Sequence, residues 1–521
     1  MPKSGPVKAA PVADSKPLRI EIPVDSRAEK GLRKPAGKGE GKRGADGASG
    51  GGGHVDGPLH VPPAGRKKGE PAFANYQTAV RYLYERVNIE RLNARHVDPK
   101  IFKLDRMRAL LEAMGNPQEA VKFVHVAGTN GKGSICAMTT SALRGCGYAV
   151  GLYTSPHLVD LRERIQINGQ MIPHATLTDL MGRAADAAAT LPPKLGEPTF
   201  FELTTAVGFA HFADEAVDIA VIEVGLGGRL DSTNVITPEV AAVASISIDH
   251  SHFLGSTPVE IARQKAGIFK KGVPALTFDQ DPAVIEAMRE VAAEVGAPFQ
   301  VVGKDIEFSS RFEANALLGP HTRVGLSTAR NLYEHVPVPL AGEHQAQNCG
   351  LALAVIDKLS ERGFELPTSK VVLGLEATKL PGRMEMVWKQ PKVLVDGAHN
   401  PAALSALSKN IGAHVSYDSL IMIFGCAADK DIDKMLQSVG QTGDKVVFTR
   451  VKGNARAADP ADLARRFAEI SGKMCQTADN LEEAIRLANQ AAGREDLILI
   501  TGSFYLVGEA KKLLAEKHGK H

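Results

Sequence analysis

From about residue 120 onward, this 521-residue chain repeats one pattern: a short apolar run, glycine-rich or polar punctuation, then a helical stretch. The runs are KFVHVAG (122–128), VDIAVIEVG (217–225), VAAVASISID (240–249), PKVLVDG (391–397), SLIMIFG (419–425), DKVVFTRV (444–451) and DLILITG (496–502). They lack the strict alternation of a half-exposed strand, as suits strands covered on both faces. Their alternation with helices predicts α/β architecture built on doubly wound sheets. Two helices are expected ahead of the series, over 76–88 and 102–114. The second places Phe102, Met107, Leu110, Leu111 and Met114 on one face and ends at Gly115.

A chain this long exceeds one core of about 150 residues, so at least two domains are expected. The punctuation Leu380-Pro381-Gly382-Arg383 puts the boundary after Arg383, giving domains over 71–383 and 384–521. Residues 1–70 carry 14 Lys/Arg against 8 Asp/Glu, with Gly50 to Gly53 as an unbroken glycine run. Such a stretch cannot bury enough apolar surface to offset its chain entropy, and disorder is expected there. The total charge is +3, so the remainder is at −3 and carries no basic nucleic-acid footprint. No apolar run approaches the roughly 18 residues of a membrane span. The five cysteines show no CxxC spacing, which points to a reducing, cytoplasmic setting without structural zinc.

Gly128-Thr129-Asn130-Gly131-Lys132-Gly133-Ser134 follows one apolar run and opens a helical stretch. Glycines let the backbone curl N–H groups toward one anion, the helix start adds partial positive charge, and Lys132 adds a full one. The spacing departs from GxxxxGK[ST], because Gly133 intervenes before Ser134. A nucleoside triphosphate site is expected. Gly225-Leu226-Gly227-Gly228 lacks the register of a dinucleotide fingerprint. Glu223 and Asp249-His250 end apolar runs, where open α/β sheets bind ligands and where oxygen donors suit Mg²⁺. Thr257-Pro258-Val259-Glu260 reads as a capped helix start. Lys265, two turns on, reads on physics alone as a surface residue.

These motifs resemble the folylpolyglutamate synthase/dihydrofolate synthase family, a branch of the Mur-ligase-like ATP-dependent amide ligases. The resemblance is carried by GTNGKGS (128–134), YTSPHL (153–158), TFFE (199–202), EVGLGGRLDSTN (223–234) and IDHSHFLGSTPVEIARQKAGIFK (248–270). It continues in GEHQAQN (342–348), PGR (381–383), DGAHNP (396–401), FGCAADKD (424–431) and TGSFYLVGE (501–509). It implies a three-layer P-loop ATPase domain and a smaller Rossmann-like domain, with the active site between them. It also implies ATP-driven addition of L-glutamate to reduced folates and to dihydropteroate, by way of an acyl phosphate. A Mur-type UDP-muropeptide ligase and a P-loop nucleotide switch are the competing readings. The partners implied are small molecules only, with no membrane or nucleic acid, and a monomer is expected.

By resemblance, Gly131 to Ser134 hold the ATP phosphates. Ser155 and Glu223 match ligands of one Mg²⁺, and Glu223 and His250 those of a second. Ser155, rather than Ser134, matches the metal-binding serine. Lys265 matches a lysine that is carbamylated in this group, which would place an anion beside the metal and reverse the surface reading. A neutral amine is needed for that, so its pKa must be depressed from near 10.4. Asn348, Arg383 and Asp396 match contacts to base, phosphates and ribose, and His399 is expected to face the transferred phosphate. Thr199, Phe200, Phe201 and Glu202, with Leu230, Asp231 and Ser232, match the pterin-binding positions; Phe200 or Phe201 would stack on the heterocycle.

Overall fold

The computed structural model describes residues 72–92, 98–315 and 319–518; the 1–70 tail expected to be disordered lies outside them. The larger sheet has eight strands: β1 (Phe123–Ala127), β2 (Val150–Tyr153), β3 (Ile165–Ile167), β4 (Gln170–Met171), β5 (Ile219–Glu223), β6 (Val240–Val243), β7 (Ala275–Phe278) and β8 (Phe299–Val302). Their order is β4-β3-β2-β5-β1-β6-β7-β8. Pairing is parallel from β2 through β8, with β3 and β4 forming an antiparallel edge. Strands β1, β5, β6 and β7 are buried along their whole length, as their unalternating composition requires.

A three-stranded antiparallel sheet follows, made of β9 (Glu307–Asn315), β10 (Gly319–Ser327) and β11 (Leu332–Pro337). The second lobe is a six-stranded sheet of β12 (Glu385–Lys389), β13 (Lys392–Asp396), β14 (Leu420–Phe424), β15 (Lys445–Phe448), β16 (Gln476–Thr477) and β17 (Leu497–Thr501). Its order is β12-β13-β17-β14-β15-β16, parallel except at β12. Strand β12 starts this lobe earlier than the apolar run 391–397 suggests. The two small antiparallel additions, β3–β4 and β9–β11, carry too little apolar patterning to be read from the sequence.

Helices cover both faces of the large sheet. On one, the helix Lys132–Gly145 packs with Glu343–Glu361 and Thr368–Glu376 over Val124, Val126 and Val240. On the other, Phe200–Asp214 and His174–Ala189 bury Phe123, Phe209 and Leu180. The first predicted helix is shorter than expected, Tyr76–Tyr84. Beyond it the chain turns to hydrogen-bond the next layer, where the Val87 carbonyl accepts from Phe200 N at 3.1 Å. The second spans Leu104–Ala113, so Phe102 precedes it and meets Phe253 edge-on instead of sharing its buried face. Strand β6 stops at Val243, although its apolar run continues. Beyond it Ser245 O and Ser247 O accept hydrogen bonds from Thr129 in the adjoining loop, and pairing with β1 ends.

The contact between Lys132–Gly145 and Thr368–Glu376 is backbone on backbone. A Cβ on Gly145 would lie 2.6 Å from Gly374 Cα and 2.7 Å from Lys370 O. Alanine there would gain about 1 kcal/mol of helix propensity. Overpacking against rigid main chain costs about 1–3 kcal/mol and dominates at such distances. Gly145→Ala is therefore expected to lower the thermal unfolding midpoint, as followed by circular dichroism.

Candidate active site

The glycine-rich loop leaves the carboxyl end of β1 between β5 and β6 and enters the helix Lys132–Gly145. Two of its glycines are compelled. Gly128 has φ +146°, and a Cβ there would lie 2.6 Å from the Ala244 Cβ; Gly131 has φ +90°, with its Cβ position 2.4 Å from Asn348 Oδ1. Gly131 caps the helix without a side-chain acceptor, leaving its first N–H groups for an anion. Lys132 Nζ donates to Gly128 O at 3.1 Å and Thr129 O at 3.3 Å.

Lys265 corrects the reading made on physics alone. It is 5% exposed, and its Nζ donates to the same Gly128 carbonyl at 2.8 Å. Burial, aided by the Lys132 charge, brings its pKa down to about 7. The predicted cap of its helix is present: Thr257 and Glu260 exchange side-chain and backbone hydrogen bonds around Pro258.

Glu223 ends β5 and is buried, which pushes its pKa up against the nearby Lys132 charge. Its Oε2 accepts from Ser155 N at 3.2 Å, and a Cβ on Gly133 would sit 3.7 Å from it. Glu223, Ser155 and the phosphate loop are thus brought together. His250, with φ +51°, lines the same cleft, and burial holds its imidazole at about 3, uncharged. Among the described residues, no three His, Cys, Asp or Glu side chains form a metal cage by themselves. A carboxylate, a hydroxyl and an imidazole on separate elements fit Mg²⁺, which keeps several waters and phosphate oxygens in its shell.

Asp249 has a different part from its neighbour His250. Burial alone would raise its pKa, but its neighbours, the Lys430 ammonium among them, override this and hold it well below the usual range. Lys430 Nζ donates to Oδ1 at 2.5 Å and Asn400 Nδ2 to Oδ2 at 3.2 Å, both from the second lobe. Asn400 also donates to Asn130 Oδ1 in the phosphate loop at 3.0 Å. His399 Nε2 lies 3.7 Å from Asp249, with Nδ1 3.0 Å from Gly397 O. Burial keeps that imidazole at about 4. The Arg383 guanidinium stacks 4.3 Å from the Phe504 ring centre, and burial lowers its pKa. Asp396 accepts from Met384 N at 2.9 Å and Ala398 N at 2.8 Å, so it also builds the hinge. Asn348 lines the cleft with its Nδ2 on Gln345 Oε1 at 3.0 Å.

The expected acceptor residues divide. Thr199 and Glu202 form the capping box of Phe200–Asp214, and Glu202 pairs with buried Arg106 at 2.8 Å. Thr199 and Glu202 also line the cleft, together with Phe201, Asp231 and Ser232. Phe200 does not: it is fully buried against Tyr84. Leu230 is 49% exposed and stands off the cleft wall. Consecutive helical residues point about 100° apart, so only one phenylalanine can face the cavity. Sequence reasoning passed over Lys430 and Asn400, although both lie in motifs quoted above, and over Phe102 and Lys103 on the wall. The signal for Lys430 and Asn400 was a polar side chain in a loop following a strand end; Phe102 and Lys103 precede a helix and carried no such signal.

The Mur ligase middle domain matches residues 126–356, and the Mur ligase glutamate ligase domain matches 382–504. The Bacillus subtilis dihydrofolate synthase/folylpolyglutamate synthase is 33% identical over 445 residues, 85% of this chain and 100% of that protein. The chain belongs to the folylpolyglutamate synthase/dihydrofolate synthase family of Mur ligases. A Halobacterium salinarum protein described as a probable bifunctional folylpolyglutamate synthase/dihydropteroate synthase is 36% identical over 413 residues. This chain spans 48% of its length. Among solved structures, Mycobacterium tuberculosis folylpolyglutamate synthase complexed with ADP superposes with TM-score 0.76 at 33% identity, covering 84% of this chain and 98% of that one. Escherichia coli FolC in complex with DHPP and ADP gives 0.75 at 29%, covering 86% and 100%. The family's two-domain fold is the one described above. Among the described residues, no helix is long and apolar enough to cross a membrane.

In this ligase the buried Lys265 binds fewer protons folded than unfolded between its folded pKa, about 7, and the usual lysine range. Folding stability must therefore rise with pH across that window, and the penalty is full below pH 7. Lys265→Met is expected to flatten that rise, measured by urea unfolding at pH 7 and pH 9.5.

Proposed function

We propose that this chain adds L-glutamate to reduced folates and to 7,8-dihydropteroate, using ATP to activate the acceptor carboxylate as an acyl phosphate. The observation that carries this reading is a single cleft with the phosphate loop and Glu223 on one side and Phe201 with Asp231 on another. The second lobe meets that cleft through Asn400 and Lys430. We read the chain as two domains, 71–383 and 384–521, joined at the Arg383 hinge. Both lobes of the cleft come from one chain, which supports a monomer acting on small molecules.

A carboxylate is a poor electrophile. The backbone N–H groups of 131–134 and Lys132 hold the triphosphate so that the acceptor carboxylate attacks its terminal phosphorus and ADP leaves. The neutral amine of glutamate then attacks the acyl carbon and phosphate departs. The residues proposed to hold Mg²⁺ are Ser155 and Glu223 for one ion, Glu223 and His250 for a second. Bound there, the metal supplies charge neutralisation at the phosphates. Lys265, whose amine is half-neutral near pH 7, is proposed to carry the carbamate. Asn348, Arg383 and Asp396 are assigned to base, phosphates and ribose, and His399 to the transferred phosphate. Closure of the lobes shields the acyl phosphate from water.

The deciding experiment is ADP release with glutamate plus dihydropteroate, tetrahydrofolate or a muropeptide precursor in turn. Release is expected with the two pteridine acids, accompanied by a new amide; equal ATP consumption without them would overturn the reading. Lys265→Ala is expected to lose at least about 100-fold in turnover while still retaining ADP by calorimetry. Glu223→Gln should need several-fold more Mg²⁺ for half-maximal rate.

A further inference from the structure

Behind the acceptor wall, a chain of hydrogen bonds runs from Asp231 into the centre of the large sheet. Asp231 Oδ2 accepts from Leu226 N at 2.8 Å, and its Oδ1 accepts from Thr233 N at 3.0 Å and from Thr233 Oγ1 at 2.5 Å. A threonine hydroxyl has one proton. Thr233 gives it to Asp231, so in its other contact, with His125 Nε2 at 2.9 Å, the imidazole must be the donor. This fixes the tautomer: the proton is on Nε2 and Nδ1 is bare.

His125 is 0% exposed in the middle of β1, three residues before Gly128. The rest of that strand is Phe, Val, Val and Ala. Its Nδ1 has no hydrogen-bond partner, and burial, with a smaller push from Lys270, holds the ring neutral with a pKa of about 3. An apolar residue would pack this position without an orphaned nitrogen. What the imidazole adds is one directed N–H.

We infer that His125 and Thr233 are positioning residues of the acceptor site, orienting the Asp231 carboxylate and with it the 225–235 loop that walls the cleft. Asp231 receives its donors from that loop alone, so without the relay nothing outside the loop sets its angle through this chain. The relay ends on β1, and the acceptor wall and the phosphate loop are thereby referenced to the same strand. Phe201 closes the arrangement, since a Cβ on Gly225 would lie 2.4 Å from its ring. The inference rests on the proposed function in taking the acceptor to be a flat pteridine acid.

The test is steady-state ADP release with dihydropteroate and ATP each varied. Thr233→Val and His125→Phe keep the side-chain shape and remove the relay. Each should raise KM for dihydropteroate about tenfold, the equivalent of one hydrogen bond, with KM for ATP within about twofold. The double variant should be no worse than the poorer single one, because both break one chain. Thr233→Ser, which restores the hydroxyl, should recover most of the loss. Unchanged acceptor KM, additive effects, or equal rises for ATP and acceptor would each overturn the relay. Nitrogen NMR of the parent protein provides a readout independent of the variants' folding: an Nε2–H signal for His125 is expected, and an Nδ1–H tautomer contradicts the assignment. If the parent released no ADP with dihydropteroate, the functional reading itself would fall and the acceptor role with it. A working parent with unaltered variants would remove the relay alone.

Discussion

Two amine groups from residues 133 apart, Lys265 buried and Lys132 half-buried, meet at one carbonyl oxygen, that of Gly128. Like charges so placed in a poorly hydrated interior cannot both persist cheaply. The structure resolves this by leaving Lys265 easily deprotonated. The arrangement exists only because Gly128 takes φ +146° hard against Ala244, turning its carbonyl to where both amines reach it. Strand β1, its neighbours β5 and β6, and the helix after Gly131 are the frame that makes this possible. Glu223 arrives on β5 with the opposite charge. The electrostatics of the whole cleft is set at this point.

The second lobe completes what the first begins. The Arg383 guanidinium, stacked on Phe504, sits at the junction, and Gly397 leaves room for it where a Cβ would be 2.9 Å from its Nη1. On the far side of the cleft, half-buried Glu90 is held by fully buried Arg164 at 2.5 Å and its main-chain oxygen by Arg456 at 2.6 Å. The first lobe therefore touches the loops after β14 and β15 through charged groups on both flanks of the cleft. A desolvated pair such as Asp249–Lys430, which joins the two lobes, contributes little net stability.

Much of this was legible in the residues. The long apolar runs at β1, β5, β14 and β17 announced parallel strands, and the loop GTNGKGS announced its chemistry by glycine placement and one lysine. The Thr257–Glu260 cap was readable to the residue. Less was readable where the answer depends on three dimensions. Lys265 is a polar residue two turns into a capped helix, and only packing against Gly128 reveals it as interior. Phe200 and Phe201 are chemically identical, and helical phase separates the core residue from the wall residue. The strands 307–337 alternate too weakly to stand out. Leu230 belongs to the right motif but points outward, since a loop shaped by Asp231 need not turn each of its side chains inward.

The contact of Asp249 with Lys430, and of Asn130 with Asn400, has a consequence for anyone recombining such chains. Each partner is supplied by a separate half, so a chimaera assembled from two relatives inherits half of each pair from either parent. A substitute half lacking an amine at position 430 would leave a dehydrated carboxylate with the Asn400 amide but without its ammonium partner. Compatibility between parents should therefore follow the identity of these few cross-joining side chains more closely than percentage similarity across either half.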